Sequence, residues 1–239
     1  MKLVEYFDRI YIIFLPERTD RVRQIEHQLT KLGLDNSKVI WFPGLKYTDA
    51  AGFPKPSVRG CAMSHYTVLS QAAEAGVERL LVLEDDCTFS RRLIRNEQDI
   101  VNELATTHWD FAYLGHGAKI ARTQQSKTYF IKAALAQPIS LTHFCAYQKR
   151  AIPRLLNLIA NSLNQPPGHP DGGPMGFDGY RNFFRTHNPD TVTLIASPSL
   201  GGQYSSASNL NPGILDRYKP IAPLLKVARV AKNTIQSFS

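Results

Sequence analysis

Leu80-Leu81-Val82-Leu83 runs straight into Glu84-Asp85-Asp86, four apolar residues followed by three consecutive carboxylates. A run this short, preceded by the helix-stopping Gly76, reads as a buried strand. Its carboxyl end would cluster three negative charges that repel one another and lose hydration. In an extended segment Glu84 and Asp86 point to one face and Asp85 to the other. Hard carboxylate oxygens at that spacing suit Mg²⁺ or Mn²⁺ held together with a diphosphate. The plainer alternative is that strand ends commonly carry acids and turn residues.

Around this stretch, strand-like and helix-like segments alternate. Ile10 to Leu15 is an apolar, β-branched run and reads as a first strand. From Arg18 to Leu32 the apolar residues Val22, Ile25, Leu29 and Leu32 recur at helical spacing, with Gly33 as the stop. Val39 to Phe42 reads as a second strand, Pro43 to Pro56 as a loop, and Gly60 to Ala75 as a helix ending at Gly76. A helix over Arg91 to Leu104 and a strand over Phe111 to Leu114 follow the acidic strand. This order argues for an α/β domain with a mostly parallel central sheet flanked by helices on both faces. Ligands in such sheets bind at the carboxyl ends of strands, where Glu84 to Asp86 would lie.

The second half is less regular. Tyr129 to Ala134 and Ile139 to Tyr147 read as strands of antiparallel character, and Lys149 to Leu163 as a helix. Gln165 to Gly176 holds four prolines and four glycines, a loop able to line a cleft. The last stretch, 213–239, places Leu224, Val227, Ala231, Ile235 and Phe238 at helical spacing among Arg217, Lys219, Lys226, Arg229 and Lys232. A basic amphipathic helix of this kind would lie on an anionic membrane surface, or else pack back on the domain or on a second copy. The chain therefore divides into a domain over 1–212 and a basic tail over 213–239.

Charge and cysteine usage narrow the partners. The net charge is +8 and the pI about 9.4, a balance that favours anionic ligands such as nucleotides. No helix-turn-helix, RNP or zinc-finger pattern points to nucleic acid. Cys61, Cys87 and Cys145 are widely spaced and form no CxxC pair, so neither a zinc site nor a disulfide framework is expected. With no signal-like N-terminus and no apolar run long enough to cross a bilayer, a cytoplasmic enzyme, peripheral on the membrane through its tail, is the expectation.

Several segments resemble glycosyltransferase family 25, which includes lipopolysaccharide sugar transferases and procollagen galactosyltransferases. They are Ile12-Ile13-Phe14-Leu15 with Arg18 and Arg21, then Gly60-Cys61-Ala62-Met63-Ser64-His65, then Leu83-Glu84-Asp85-Asp86. Cys145-Ala146-Tyr147, Phe177-Asp178 and Pro198-Ser199-Leu200 with Gln203 follow in the same order. The Gly-x-x-x-Ser-His segment about 20 residues before an acidic strand end is the specific part. The chain departs from the family in having Phe14 where Asn is usual, and no Asp after Ser205-Ser206-Ala207-Ser208.

The resemblance implies a GT-A-like fold, a UDP-sugar donor, and inverting transfer of a hexose, galactose or glucose, to a hydroxyl of a glycan or lipid-linked glycan acceptor. Within it, Asp86 with Glu84 would ligate Mn²⁺ or Mg²⁺, the metal neutralising charge on the departing nucleotide. Leu15, Arg18, Arg21, Ser64, His65, Glu84, Asp85 and Gln203 would contact the donor. For Arg18 and Arg21 the alternative is a solvated helix face. For Ser64 and His65 it is a buried pair tying helix to sheet.

Asp178 would be the base that takes the acceptor proton, with Asp171 as second choice and helix capping as the competing role. His187 would be a late metal or diphosphate ligand or simply structural, and Tyr204 would sit with Gln203 on the acceptor side. The absence of G-x-S-x-G argues against a Ser-His-Asp hydrolase. Two rival functions stand beside the transferase: a non-catalytic nucleotide-sugar-binding protein with a degenerate site, and an enzyme that hydrolyses a nucleotide diphosphate.

Overall fold

A computed structural model describes residues 1–34, 38–118, 120 and 128–204. The tail over 213–239, the boundary drawn at 212 and the late serines lie outside the described residues. The strands are β1 (Arg9–Phe14), β2 (Val39–Pro43), β3 (Arg79–Glu84), β4 (Cys87–Phe89), β5 (Phe111–Gly115), β6 (Phe130–Lys132), β7 (Phe144–Gln148), β8 (Thr193–Ala196) and β9 (Gly201–Gln203). The helices are α1 (Leu3–Tyr6), α2 (Thr19–Lys31), α3 (Pro56–Glu74), α4 (Arg91–Thr106), α5 (Ile152–Leu163) and α6 (Phe177–His187).

The strands form one sheet in the order β2-β1-β3-β7-β5-β8-β6, with β9 joining β4 to the end of β5. β1, β2, β3, β5, β8 and β9 run one way and β4, β6 and β7 the other. The sheet is thus mostly parallel in strand direction. The strand expected over Ile139 to Tyr147 begins only at Phe144 and is antiparallel to both β3 and β5. It starts late because Leu141 has φ +72° and the preceding segment is held off the sheet by α6.

Strand alternation explains the two-faced core. Ile10, Ile12, Leu81, Leu83, Ala112 and Leu114 pack into one apolar cluster with Ile25, Leu29, Leu93 and Ile100 from α2 and α4. Tyr11, Ile13, Leu80, Val82, Phe111 and Tyr113 face the other way, against Val68, Leu69, Leu155, Ile159 and Phe184 from α3, α5 and α6. A strand covered on both faces has no solvent side, and so β3 is continuously apolar instead of alternating.

α3 starts four residues before the expected Gly60, at Pro56, whose fixed φ and missing N–H suit a first helical position. Gly60 then lies inside the helix, where a Cβ would strike the Leu45 carbonyl oxygen, so the helix and the segment after β2 approach as only glycine permits.

Candidate active site

The carboxyl ends of the adjacent parallel strands β2, β1 and β3 open onto a cavity of about 560 Å³. Leu15 follows β1, Gly44 and Leu45 follow β2, Glu84 ends β3 and Asp85 follows it. Gly60, Cys61, Ser64 and His65 of α3 form the opposite wall. Arg21, Lys46 and Lys55 add positive charge around it. A cavity at this edge, lined by both signs of charge, is where an open α/β sheet binds ligand.

The three acids of the β3 end divide their partners. Asp85 accepts from the Leu15 backbone N–H and from Arg21, both at 2.9 Å. The same Arg21 nitrogen lies 3.2 Å from Asp86. Glu84 meets His65 Nε2 at 3.1 Å and accepts from the Thr142 hydroxyl. The strand ends at Glu84, and the chain turns there, so simple alternation no longer governs Asp85 and Asp86: Arg21 gathers both.

Burial would raise Glu84, but its hydrogen bonds to His65 and Thr142 outweigh that and hold its carboxyl down at about 2. Asp86 is pushed the other way, to about 7, first by burial and then by the charge of Glu84. Burial also raises Asp85, against the opposing pull of the Leu15 N–H and Arg21. The Cys61 thiol is held well above its ordinary range by burial and by the charges of Glu84, Asp178 and Asp86.

Leu15, Arg21, Ser64, His65, Glu84 and Asp85 all line the cavity. Asp86 is buried beside them without lining it, and Gln203 of β9 reaches Asp86 at 3.4 Å. The Tyr204 backbone N–H donates to the Asp86 carbonyl, which closes the β4–β9 ribbon over this corner. Arg18 turns to Asp20 in a two-pronged pair at 2.9 and 3.0 Å. Ser64 donates to the Gly60 carbonyl and accepts from the Leu45 N–H, so it ties α3 to the loop after β2 while facing the cavity.

His65 is 1% exposed and stacks on Phe177 with ring centroids 4.3 Å apart. That contact brings the start of α6 to the site, with Asp178 next in the chain. Asp178 is half-buried in the first turn of α6, after the Gly176 cap position, and accepts from the Gly179 N–H. It does not line the cavity itself. Asp171 is exposed, 3.9 Å from His169. His187 bonds the Phe183 carbonyl one turn earlier, at the far end of the helix.

Sequence reasoning passed over Cys61, Lys46, Lys55, Thr142 and His143. Cys61 carried a signal, since it stands four residues before His65 on one helix face. Thr142 and His143 carried none, because only the antiparallel pairing of β7 with β3 sets that segment beside Glu84. Arg181 was passed over too. It is fully buried, donates to Tyr147 and to the Leu141 carbonyl, and lies 4.0 Å from the centre of the Tyr113 ring.

Residues 57–162 match the family model described as glycosyltransferase family 25, LPS biosynthesis protein. Procollagen galactosyltransferase 1-B of Xenopus laevis is 30% identical over 129 residues, covering 46% of this chain and 21% of that protein. Inactive glycosyltransferase 25 family member 3 of Homo sapiens is 29% identical over 131 residues, covering 46% and 22%. The chain thus aligns with about a fifth of the length of these relatives. Among solved structures, a glycosyltransferase involved in glycosylating the major capsid of PBCV-1 aligns with a TM-score of 0.41 at 14% identity, covering 79% of this chain and 92% of that one. A197 from STIV aligns at 0.42 and 13%, covering 84% and 86%. Through residues 57–162, the segment that carries most of α3, the acidic end of β3 and the cavity wall between them, the chain is similar to glycosyltransferase family 25.

Proposed function

We propose that the chain transfers a hexose, galactose or glucose, from a UDP-sugar to a hydroxyl of a glycan acceptor such as lipopolysaccharide core, with inversion. The observation that carries this reading is the cavity at the ends of β2, β1 and β3, lined by Arg21, Lys46 and Lys55 as well as by Glu84 and Asp85. Its volume, about 560 Å³, lies within the range of small-molecule sites. The cations would draw in the donor diphosphate, and Leu15, Ser64 and Asp85 would hold its nucleoside.

The β3 acids would also suit a divalent cation. Asp86 carries a raised pKa first because it is buried and then because Glu84 repels its charge, and a nearby cation would offset both. Glu84 and Asp86 would hold Mn²⁺ or Mg²⁺, and the ion would supply Lewis-acid neutralisation of the departing nucleotide. Asp178 would take the acceptor proton as the hydroxyl attacks the anomeric carbon. Its chain neighbour Phe177 stacks on His65, which lines the cavity. A basic tail over 213–239 would bring the enzyme to an anionic membrane surface bearing a lipid-linked acceptor.

A second reading is binding without turnover. An inactive family member among the relatives, Phe14 in place of the usual Asn, and an Asp178 that does not line the cavity favour it. A thermal-shift panel with UDP-, GDP- and CMP-sugars, with and without Mn²⁺, tests donor binding. At a hundred times Kd a ligand stabilises by about 2.7 kcal/mol. Coupled measurement of nucleotide release with and without glycan acceptors then separates the readings. Acceptor-dependent release supports the transferase, binding alone supports the second reading, and release at the same rate without acceptor indicates hydrolysis.

A further inference from the structure

We propose that Cys61, His65 and Glu84 form a site for a borderline divalent cation of the Zn²⁺ type, with one coordination position open to the cavity. One sulfur, one ring nitrogen and one carboxylate oxygen from these residues lie within 4.8 Å of one another. All three line the same cavity. The inference goes beyond the transferase reading and stands without it.

The donor set differs in kind from the all-oxygen set of Glu84 and Asp86. Sulfur, imidazole and a single carboxylate select zinc-like ions, whereas Mg²⁺ and Mn²⁺ prefer oxygen. Three protein ligands with a vacant fourth place are the pattern of reactive zinc sites, and four are the pattern of structural ones. Bond lengths of about 2.0–2.3 Å put tetrahedral donors roughly 3.3–3.8 Å apart. His65 Nε2 and Glu84 already stand 3.1 Å apart, so the sulfur is the donor that would draw in.

The scaffold holds these donors in place. Cys61 and His65 are one turn apart on α3, and a one-turn spacing sets both side chains on one face. His65 is clamped between Glu84 and the Phe177 ring. Its second ring nitrogen, Nδ1, is buried with no hydrogen-bond partner among the described residues. The ion would bind at Nε2, the nitrogen that already faces Glu84, and Nδ1 across the ring would take no part in ligation. Thr142 donates to Glu84 and would remain as an outer hydrogen bond that orients the carboxylate. Asp85 and Asp86, by contrast, already share the Arg21 guanidinium. A ligand for the open position would carry an anionic oxygen, given Arg21, Lys46 and Lys55 around the same space.

The test uses Co²⁺ as a spectroscopic stand-in, with the full chain stripped by chelator and kept reduced. The expected result is one Co²⁺ per chain, with the near-ultraviolet band of thiolate ligation, displaced stoichiometrically by Zn²⁺. Cys61→Ser should abolish that band and weaken Zn²⁺ binding by about 100-fold or more, beyond what loss of an outer-shell partner costs. Asp86→Asn should leave the band in place. Circular dichroism confirms that each variant is folded. If Cys61→Ser does not fold, the wild-type spectrum decides alone. Folded wild-type protein that binds Co²⁺ without a thiolate band overturns the proposal, as does a band that survives Cys61→Ser. Loss of all Co²⁺ binding in Asp86→Asn places the ion on the acids and also overturns it.

Discussion

Arg21 Nη1 lies 2.9 Å from Asp85 Oδ1, a contact between helix α2 and the end of β3 that spans 64 residues of sequence. Both side chains are about nine-tenths buried or more, and the same nitrogen reaches Asp86 at 3.2 Å. Arg21 is therefore the counter-charge for two buried acids, Asp85 in the cavity wall and Asp86 behind it.

Removing it strands those acids. Arg21→Ala should cost about 3–5 kcal/mol, the usual penalty for breaking a buried ion pair from one side. Urea denaturation checks this. A loss below about 1 kcal/mol would mean that water solvates the acids and that the pair contributes little.

The raised Asp86 carboxyl makes a pH prediction. Its folded pKa, about 7, lies above the ordinary 3.8, so the folded chain binds the extra proton between those values. Stability from this group is thus greatest at low pH and falls as pH rises from about 4 to about 7. His143 works oppositely, because burial lowers it to about 4 and its neutral form favours folding as pH rises. The comparison is therefore between wild type and Asp86→Asn, with chelator present. The variant should gain on wild type steadily across that window and not above it. A constant difference in melting temperature from pH 4 to 7 would refute the assignment.

Asp178→Asn should lower turnover by about 10²- to 10⁴-fold, the range for loss of a general base, with donor affinity unchanged. Asp86→Ala should weaken both donor binding and turnover. Steady-state kinetics and calorimetric donor titration distinguish the two. Unchanged turnover in Asp178→Asn would remove Asp178 from the mechanism and leave the transferase reading to find another base.

Gly60→Ala should destabilise by about 1–3 kcal/mol, the range for overpacking, because the new methyl meets the Leu45 backbone rather than a yielding side chain. Pushing that loop away also strains the Ser64–Leu45 hydrogen bond, so donor binding should weaken with stability. A thermal melt and a donor titration on the same variant check both. Wild-type values in both would show that α3 can shift without disturbing the cavity.

Much of the first half was legible because it is built from local signals. The apolar periodicity of α2 and the unbroken run of β3 located those elements to within a residue or two. Four short elements escaped notice: α1, β4, β8 and β9. β4 and β9 are three residues each and exist because they pair with one another, β9 also meeting the end of β5. No window of that length carries a periodicity to read.

The site divides the same way. Residue types and spacing determined that acids would end a buried strand, that Arg21 would open a helix, and that Ser64 and His65 would share another. Those are facts of one chain segment at a time. Which acid meets which partner was decided only by packing. Arg21 gathers Asp85 and Asp86, whereas Glu84 turns to His65 and Thr142. Cys61 joins His65 and Glu84 because α3 lies across the end of β3, at a separation of some 20 residues that no local pattern encodes. Charge and burial at such a point depend on what the fold brings within a few ångströms, and that is set by tertiary structure alone.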